Sequence, residues 1–255
     1  MKFSIITPSY NQGRFVRDCI ESVRSQTGVD WEHLVQDAGS TDETGAALQE
    51  FSHLKCVTEK DQGMSDGINR GFRRATGDWV MWLNTDDYLL PDALAKVAAC
   101  AARNPDADII YGDVEFVGAD KKLIRPKREH RFDPAVLLFY GCYIQSTATF
   151  IRRRVIEAGH LLDVDYRVCM DFEYYLRLHR LGYRFIHLPA LLAAFRWHET
   201  NTSSTQLARR RDERLRVQRA HLELTHRARW LQNARVLAML YRVYQLKRLF
   251  LRCCR

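Results

Sequence analysis

Two adjacent carboxylates follow an apolar segment of the chain. Asp86 and Asp87 come just after residues 78–83, a run with the character of a buried strand. Neighbouring carboxylates repel each other unless a cation lies between them, and their oxygens suit Mg²⁺ or Mn²⁺. Asp is also a preferred capping residue, and a helix is predicted to open near Pro91. The pair alone therefore leaves a metal site and a polar turn equally open.

Two further polar segments could hold a ligand. Asp37 follows another predicted strand, and its carboxylate could accept hydrogen bonds from a base or ribose while Gly39 lets backbone approach. Residues 61–71 contain three glycines and two carboxylates. They match neither the dinucleotide-binding fingerprint nor the phosphate-binding loop that ends in Lys-Ser/Thr. Each segment could equally be an ordinary turn or a surface loop.

These side chains depend on strands that alternate with helices. Strands are predicted at residues 2–7, 31–36, 54–58, 78–83 and 108–112. Such alternation indicates βαβ units, and hence an α/β domain with a mostly parallel central sheet. Ligands bind at the carboxyl ends of strands in open α/β sheets. The polar turns all follow strands, so we expect them to meet at that edge.

The later part of the chain is less regular. Helices are predicted near residues 134–139 and at 171–181, with strands at 146–151, 184–188 and 191–197. Residues 206–255 contain no Pro or Gly and are rich in Arg and Leu, which predicts a helical extension. We therefore expect one α/β domain over residues 1–205 and a basic, apolar helical extension over residues 206–255.

Charge is distributed unevenly along the chain. Hydrophobic residues at 46% and charged residues at 27% are typical of globular proteins and exclude a disordered or collagen-like chain. The net charge is +8, but residues 206–255 hold 14 Lys/Arg against three Asp/Glu, a local charge of +11. The first 205 residues hold 25 against 28 and carry −3. Basicity therefore belongs to the extension, and nucleic acid is an unlikely partner of the main domain.

Cysteine usage and hydropathy predict a cytoplasmic protein. The seven cysteines are odd in number and lack paired spacing, which indicates reduced thiols. We expect no signal peptide, and no apolar run approaches the roughly 20 residues of a membrane-spanning helix. Arg, Trp, Leu and Phe in the extension suit an anionic membrane surface. Packing against the main domain or against a second subunit of a homo-oligomer is an equal alternative.

An ordered series of motifs resembles family 2 glycosyltransferases, inverting nucleotide-sugar enzymes of the GT-A fold. The resemblance covers about residues 1–200. The matching segments, in chain order, are Ile5-Ile-Thr-Pro-Ser-Tyr-Asn11, Asp37-Ala-Gly-Ser-Thr-Asp42, Glu59-Lys-Asp-Gln-Gly63, Asp66-Gly-Ile-Asn69, Leu83-Asn-Thr-Asp-Asp87, Met170-Asp-Phe-Glu-Tyr-Tyr-Leu-Arg177 and Phe195-Arg-Trp-His198. The resemblance implies a single GT-A, Rossmann-like domain.

The resemblance also implies roles for particular residues. Asp86 would lie near the ribose or metal, and Asp87 would ligate the diphosphate-bound cation, Mn²⁺ or Mg²⁺. Asp171 matches the catalytic base, although the family more often has Glu-Asp where this chain has Met170-Asp171, and Glu173 could compete. The residues expected to bind the nucleotide-sugar donor are Pro8, Tyr10, Asn11, Asp37, Asp66, Asn69 and Asp86.

His198 is a further candidate metal ligand. In related sugar transferases a late His reaches back to the metal or diphosphate, and the resemblance implies that role here. Imidazole is tolerated by Mn²⁺ better than by Mg²⁺, so a His ligand predicts a preference for Mn²⁺. The alternative is a surface His that follows a strand.

The function implied by the resemblance is metal-dependent transfer of a sugar, with inversion, from a nucleoside-diphosphate sugar to a hydroxyl of a saccharide or lipid-linked acceptor. It suggests assembly of an envelope polysaccharide or another glycoconjugate, in the cytoplasm and at the inner face of the membrane. A pyrophosphorylase is disfavoured because residues 1–30 lack an early Gly-rich, basic signature. The remaining alternative is a non-catalytic module that binds a nucleotide, a membrane or nucleic acid.

Overall fold

The computed structural model describes residues 1–199, 201, 205–224, 231 and 233–253. Its centre is a nine-stranded sheet with apolar cores on both faces. Because side chains alternate along a strand, Phe3 and Ile5 of the first strand join one core and Ile6 joins the other. Both cores are buried against helices, which is the layered arrangement that the alternating pattern predicts.

The strands differ in length, from two residues in β5 to 13 in β9. In chain order they are β1 Lys2–Ser9, β2 Asp30–Asp37, β3 Lys55–Thr58, β4 Trp79–Trp82, β5 Tyr88–Leu89, β6 Ile109–Gly118, β7 Leu123–Lys127, β8 Thr149–Arg152 and β9 Phe185–Trp197.

Within the described residues, seven helices belong to the sheet-bearing part of the chain and two to the extension. They are α1 Gly13–Arg24, α2 Thr44–Gln49, α3 Met64–Arg74, α4 Ala93–Arg103, α5 Pro134–Tyr140, α6 Arg153–Glu157, α7 Met170–Arg180, α8 Leu207–Leu224 and α9 Ala234–Cys253. A 3₁₀ turn at Ser146–Ala148 precedes β8.

The strands follow the order β3-β2-β1-β4-β8-β6-β9-β5, and β7 pairs with the outer half of β6. Pairs among β3, β2, β1 and β4 are parallel, as is the β6–β9 pair, whereas β8 lies antiparallel between β4 and β6. The predicted α/β fold class is confirmed. Antiparallel insertion of β8 makes the sheet mixed while leaving β4, β6 and β9 pointing the same way.

The two strands predicted at residues 184–188 and 191–197 form one strand, β9. Gly112 of β6 pairs with Leu188, and the next residue, Asp113, pairs with Leu191. The intervening Pro189 and Ala190 are therefore accommodated by a bulge, which suits a residue without an N–H.

Parallel pairing brings the polar turns to one edge of the sheet, as expected. Ser9 at the end of β1 pairs with Asp37 at the end of β2, which pairs in turn with Thr58 of β3. The Leu83 N–H continues from β4 by donating to the Ile6 carbonyl. We call this carboxyl-terminal boundary the active edge.

Cysteines in the described residues form no disulfide. Cys19, Cys100 and Cys169 are buried and Cys142 is half-buried, whereas Cys56 and Cys253 are exposed. Four of these six thiols therefore lie wholly or partly in the interior, and an interior position is wrong for Cys56 and Cys253. Cys254 lies outside the described residues.

The extension packs against the main domain through α5 and α7. Gln218 of α8 donates to the Leu138 carbonyl at 2.7 Å, and the Tyr241 ring of α9 stacks on Tyr140 with centroids 5.4 Å apart. Arg248 of α9 is buried and pairs with the buried Glu129 carboxylate. Among the described residues, no helix is both long and apolar enough to cross a bilayer.

We expect Arg248→Ala to lower the free energy of unfolding by about 3 kcal/mol, since it leaves the buried Glu129 carboxylate without its arginine partner. The loss should lie at the low end for a broken buried pair because Lys127 remains 3.4 Å from Glu129. Urea denaturation measures it, with the exposed Arg242→Ala of the same helix as the matched control. If both variants unfold like the wild type, α9 does not pack on the domain in this way.

Candidate active site

Asp86 and His198 face each other at the active edge, although 112 residues separate them. Asp86 follows β4, and His198 follows the parallel strand β9. The Asp86 Oδ2 lies 2.9 Å from His198 Nε2 and accepts a hydrogen bond from the Asn201 amide at 3.3 Å. Phe15 packs against the imidazole with centroids 4.8 Å apart. The predicted carboxylate and histidine are therefore held together by the fold.

Asp87 lies behind this pair and is 1% exposed. Thr147 Oγ1 donates to one carboxylate oxygen at 2.6 Å, and the Arg196 N–H donates to the other at 2.9 Å. Burial and the adjacent Asp86 raise the pKa of Asp87 well above its usual range, against the opposing effect of these donors. Asp87 therefore ties the loop after β4 to both β9 and the 3₁₀ turn.

Arg196 is a site residue to which the sequence assigned no role. It is 2% exposed, its Nη2 donates to Asp18 at 2.8 Å, and its guanidinium lies 4.7 Å from the Phe15 ring centroid. A buried cation is thereby fixed beside Asp87, where its charge favours the ionised carboxylate. The available signal was a charged residue in the apolar strand pattern just before His198.

Asp37 organises the turn at the end of β2. It is 1% exposed, and it accepts hydrogen bonds from the Gly39 and Ser40 N–H groups at 3.2 and 3.0 Å. Gly39 has φ +88°, a conformation that favours glycine. Asn11, itself at φ +52°, accepts from the Thr41 N–H at 2.8 Å. Two of the predicted donor-binding residues, Asn11 and Asp37, thus belong to the two turns after β1 and β2, which are joined by hydrogen bonds.

Pro8 and Tyr10 border the same pair of turns. The Pro8 carbonyl accepts from Thr85 Oγ1 at 2.7 Å, which links the end of β1 to the loop that carries Asp86. Tyr10 is 60% exposed and offers an open aromatic surface beside that link. The structure thus gives Pro8 a supporting position and Tyr10 an accessible one.

Asp66 and Asn69 lie on α3 but have different surroundings. Asp66 accepts from the Gln62 N–H at 3.0 Å and pairs with Arg70 at 2.9 Å. Burial alone would raise the pKa of Asp66, but these donors outweigh burial and hold the pKa below its ordinary range. Asn69 is buried, and its amide bonds both the N–H and the carbonyl of Leu162. Its position is therefore that of an anchor for α3.

Asp171 lies in the first turn of α7 and is half-buried. Burial raises the pKa of Asp171, and the Phe172 N–H, the Cys142 thiol and Lys127 oppose that rise. A raised pKa makes a carboxylate a stronger proton acceptor. The competing Glu173 is held by Arg177 through two hydrogen bonds of 2.7 and 3.0 Å.

The segment from Cys142 to Thr147 connects the two groups of carboxylates. Its first residue, Cys142, lies next to Asp171, and its last residue, Thr147, donates to Asp87. Asp171 and Asp87, the residue next to Asp86, therefore contact opposite ends of the same short stretch of chain.

Glu213 of α8 is a second residue that sequence reasoning missed. Its Oε1 accepts from the Arg167 N–H at 3.0 Å, and its Oε2 accepts from the Val168 and Cys169 N–H groups at 2.9 Å each. The carboxylate thereby fixes the chain immediately before Asp171. Sequence could not reveal this because the partners are backbone groups more than 40 residues away, and the residue itself sits in a basic block.

The chain held by Glu213 also contacts the loop beside Asp66. Ser65 Oγ donates to the Tyr166 carbonyl at 3.1 Å, and the Arg167 guanidinium donates to the Gln62 carbonyl. Residues 166–169 thus lie between the predicted donor loop and the predicted base.

The sequence model of glycosyl transferase family 2 matches residues 4–161, more than half of the chain. The chain belongs to glycosyl transferase family 2. The matched region includes β1 to β8 and the Asp86–Asp87 loop, while Asp171, His198 and the extension lie beyond it. Family membership confirms the resemblance and makes the chain a glycosyltransferase.

Named relatives of this glycosyltransferase act in glycoconjugate biosynthesis. A PGL/p-HBAD biosynthesis glycosyltransferase of Mycobacterium bovis is 34% identical over 181 residues, which cover 69% of this chain and 68% of the relative. The O-antigen biosynthesis protein RfbC of Myxococcus xanthus is 31% identical over 165 residues, 62% of this chain and 13% of RfbC.

Solved structures share the fold of this family 2 member. TarS 1-349 of S. aureus in complex with UDP has a TM-score of 0.67 at 19% identity, and the match covers 87% of this chain but 65% of that one. The mannosyltransferase PcManGT of Pyrobaculum calidifontis, in complex with GDP-Man and Mn²⁺, has a TM-score of 0.67 at 16% identity, with 94% and 68% covered. At these identities the likeness confirms the GT-A fold.

We expect Glu213→Gln to lower the free energy of unfolding by about 2 kcal/mol at pH 7, because the amide offers one uncharged acceptor oxygen where the carboxylate offers two that share a negative charge. Backbone donors outweigh burial and hold the pKa of Glu213 below its ordinary 4.5. The carboxylate therefore stabilises the fold above that pH, and its advantage over the Gln variant should shrink as the pH falls below it.

Denaturation at pH 7 and at acid pH measures this difference, and the exposed Glu223→Gln of the same helix is the control. A pH-independent difference, or an equal effect of the control, would contradict the role of the Glu213 charge.

Proposed function

We propose that this glycosyltransferase moves a sugar, with inversion at the anomeric carbon, from a nucleoside-diphosphate sugar to a hydroxyl of a saccharide or lipid-linked acceptor. We place it in assembly of an envelope polysaccharide or glycoconjugate, in the cytoplasm at the inner face of the membrane. The observation that carries the proposal is the short segment from Cys142 to Thr147, which contacts Asp171 at one end and Asp87, the neighbour of Asp86, at the other.

The donor nucleotide is proposed to bind over the hydrogen-bonded turns that follow β1 and β2. Tyr10 offers an aromatic surface, and Asp37 and Asp66 offer carboxylates that are held in place by backbone N–H groups. Asn11 and Pro8 fix the turns, and Asn69 fixes α3 beneath Asp66. The similar structures named above contain UDP and GDP-Man, which supports a nucleoside-diphosphate sugar as the donor here.

The chemistry of Asp86 and His198 fits a divalent cation. In the described residues no three His, Cys, Asp or Glu side chains converge as a complete cation site. Mg²⁺ and Mn²⁺ are commonly held by one or two protein ligands together with substrate phosphates and water. Asp86 and His198 would supply those two ligands, and the imidazole favours Mn²⁺. A bound cation neutralises charge on a leaving diphosphate.

Asp87 remains a predicted ligand, and its buried hydrogen bonds give it a second proposed role. They hold the backbone of the loop and the start of the 196–198 segment. Asp86 and His198 stand on these two segments, so Asp87 sets their separation.

Asp171 is proposed to act as the general base. It takes the proton of the acceptor hydroxyl as that oxygen bonds to the anomeric carbon, while the bond from this carbon to the phosphate oxygen breaks on the opposite face. Attack opposite the leaving group inverts the configuration. Glu173 is a weaker candidate because Arg177 occupies both of its oxygens.

We expect one nucleoside diphosphate to raise the melting temperature in the presence of Mn²⁺. A ligand at 100 times its dissociation constant adds about 2.7 kcal/mol of stability. Asp86→Asn and His198→Ala should remove the Mn²⁺-dependent part of the shift, whereas Asp87→Asn should also lower the melting temperature of the free protein. A thermal-shift panel of nucleotides with and without Mn²⁺ measures this. No shift with any nucleotide would contradict the proposed donor site and favour a non-catalytic module that binds a membrane or nucleic acid.

We expect Asp171→Asn to lower kcat by about 10²–10⁴-fold, the usual contribution of a general base. The nucleotide-induced thermal shift should survive, and Glu173→Gln is the matched control on the same helix turn. The raised pKa of Asp171 also places the acid limb of the wild-type rate profile above 3.8, the ordinary Asp value, and the rate should fall as the pH drops through it. Loss of nucleotide binding in Asp171→Asn would instead make Asp171 a binding residue.

A further inference from the structure

Helix α9 carries a row of large apolar side chains on its outer face. Met239, Val243, Leu246, Leu249 and Phe250 are between 48% and 68% exposed. Their spacing of three or four residues places them on one side of the helix. We call these five residues the α9 stripe.

The opposite side of α9 is already occupied by the main domain. Leu237 and Arg248 are buried, and the Tyr244 ring lies 4.9 Å from Phe139 of α5. The stripe is therefore not needed to hold α9 in place. Contiguous exposed apolar residues of this size on a helix mark a contact with a partner or a membrane.

The charge around the stripe indicates which contact it makes. Helix α9 contains five basic residues and no acidic one. Lys247 and Arg248 pair with Asp133 and Glu129, while Arg235 and Arg242 are exposed near the stripe. Apolar side chains beside exposed cations match an anionic bilayer, where the side chains enter the acyl boundary and the cations meet lipid phosphates.

A second copy of the chain is a poorer match for the same surface. Pairing α9 with α9 would bring Arg235, Arg242 and Arg252 of both copies together with no acidic residue in either helix. Like charges placed at a helix–helix contact are destabilising.

We propose that the α9 stripe docks on the surface of an anionic bilayer. This inference rests on the inner-membrane location proposed above and names the surface responsible. The Arg248 guanidinium bonds the Tyr140 hydroxyl at 3.0 Å, and Tyr140 lies two residues before Cys142, the neighbour of Asp171. Docking through α9 therefore links the bilayer surface, through Tyr140 of α5, to the segment beside the proposed base.

The test is cosedimentation of the full chain with vesicles of phosphatidylcholine, alone or mixed with phosphatidylglycerol. We expect binding to the mixed vesicles that weakens as salt rises. The double variant Leu246→Glu/Phe250→Glu should bind at least about tenfold more weakly, since two large apolar groups no longer leave water. Leu123→Glu/Ile124→Glu on β7 is the matched control, because those apolar residues are also largely exposed, at 58% and 59%, and their substitution should leave binding unchanged.

Absence of wild-type binding, or equal binding by the α9 double variant, overturns the proposal. A wild-type dimer that the α9 variant converts to a monomer, seen by light scattering without vesicles, overturns it in favour of a second copy. The nucleotide thermal shift is measured on the same proteins. If the wild type shows the nucleotide-induced shift but fails to bind vesicles, only the docking proposal is overturned. If the wild type shows no nucleotide-induced shift, the proposed donor site is overturned.

Discussion

The buried Asp87 carboxylate is the interaction on which the active edge depends. It accepts from Thr147 and from the Arg196 backbone, so one side chain fixes the loop after β4, the 3₁₀ turn before β8 and the end of β9. A buried carboxylate is costly unless its oxygens are bonded. That cost makes any rearrangement of the three segments unfavourable, and it keeps Asp86 beside His198.

Glu213 extends the same principle to the helical extension. Its carboxylate satisfies three successive N–H groups before α7, and residues 166–169 in turn contact the loop next to Asp66. The extension is consequently part of the scaffold of the site, although its composition suggests a separate basic appendage. Stability of α8 and order of the chain before Asp171 are therefore expected to be coupled.

Sequence pattern accounts for the fold class and for the edge at which the site lies, because alternating strands and helices dictate parallel β1–β4 and place the turns after Ser9, Asp37 and Trp82 together. It could not account for Arg196 or Glu213. Their partners are a remote carboxylate and backbone N–H groups, and neither leaves a local pattern of spacing. The sequence also could not predict that residues 185–197 form one strand, because the bulge that accommodates Pro189 depends on pairing with β6.

The carboxylates of the site differ in environment, and this difference separates their chemistry. Asp66 is held by N–H donors and Arg70, which lower its pKa, whereas burial with weaker compensation raises that of Asp171. A group that stays ionised suits ligand binding, and a group with a raised pKa suits proton transfer. Ser65, the residue before Asp66, contacts Tyr166, and Asp171 lies at the start of the helix that follows, so the chain before α7 lies between the proposed donor site and the proposed base. Because Glu213 anchors that stretch, the helical extension contributes to the relative placement of the two carboxylates.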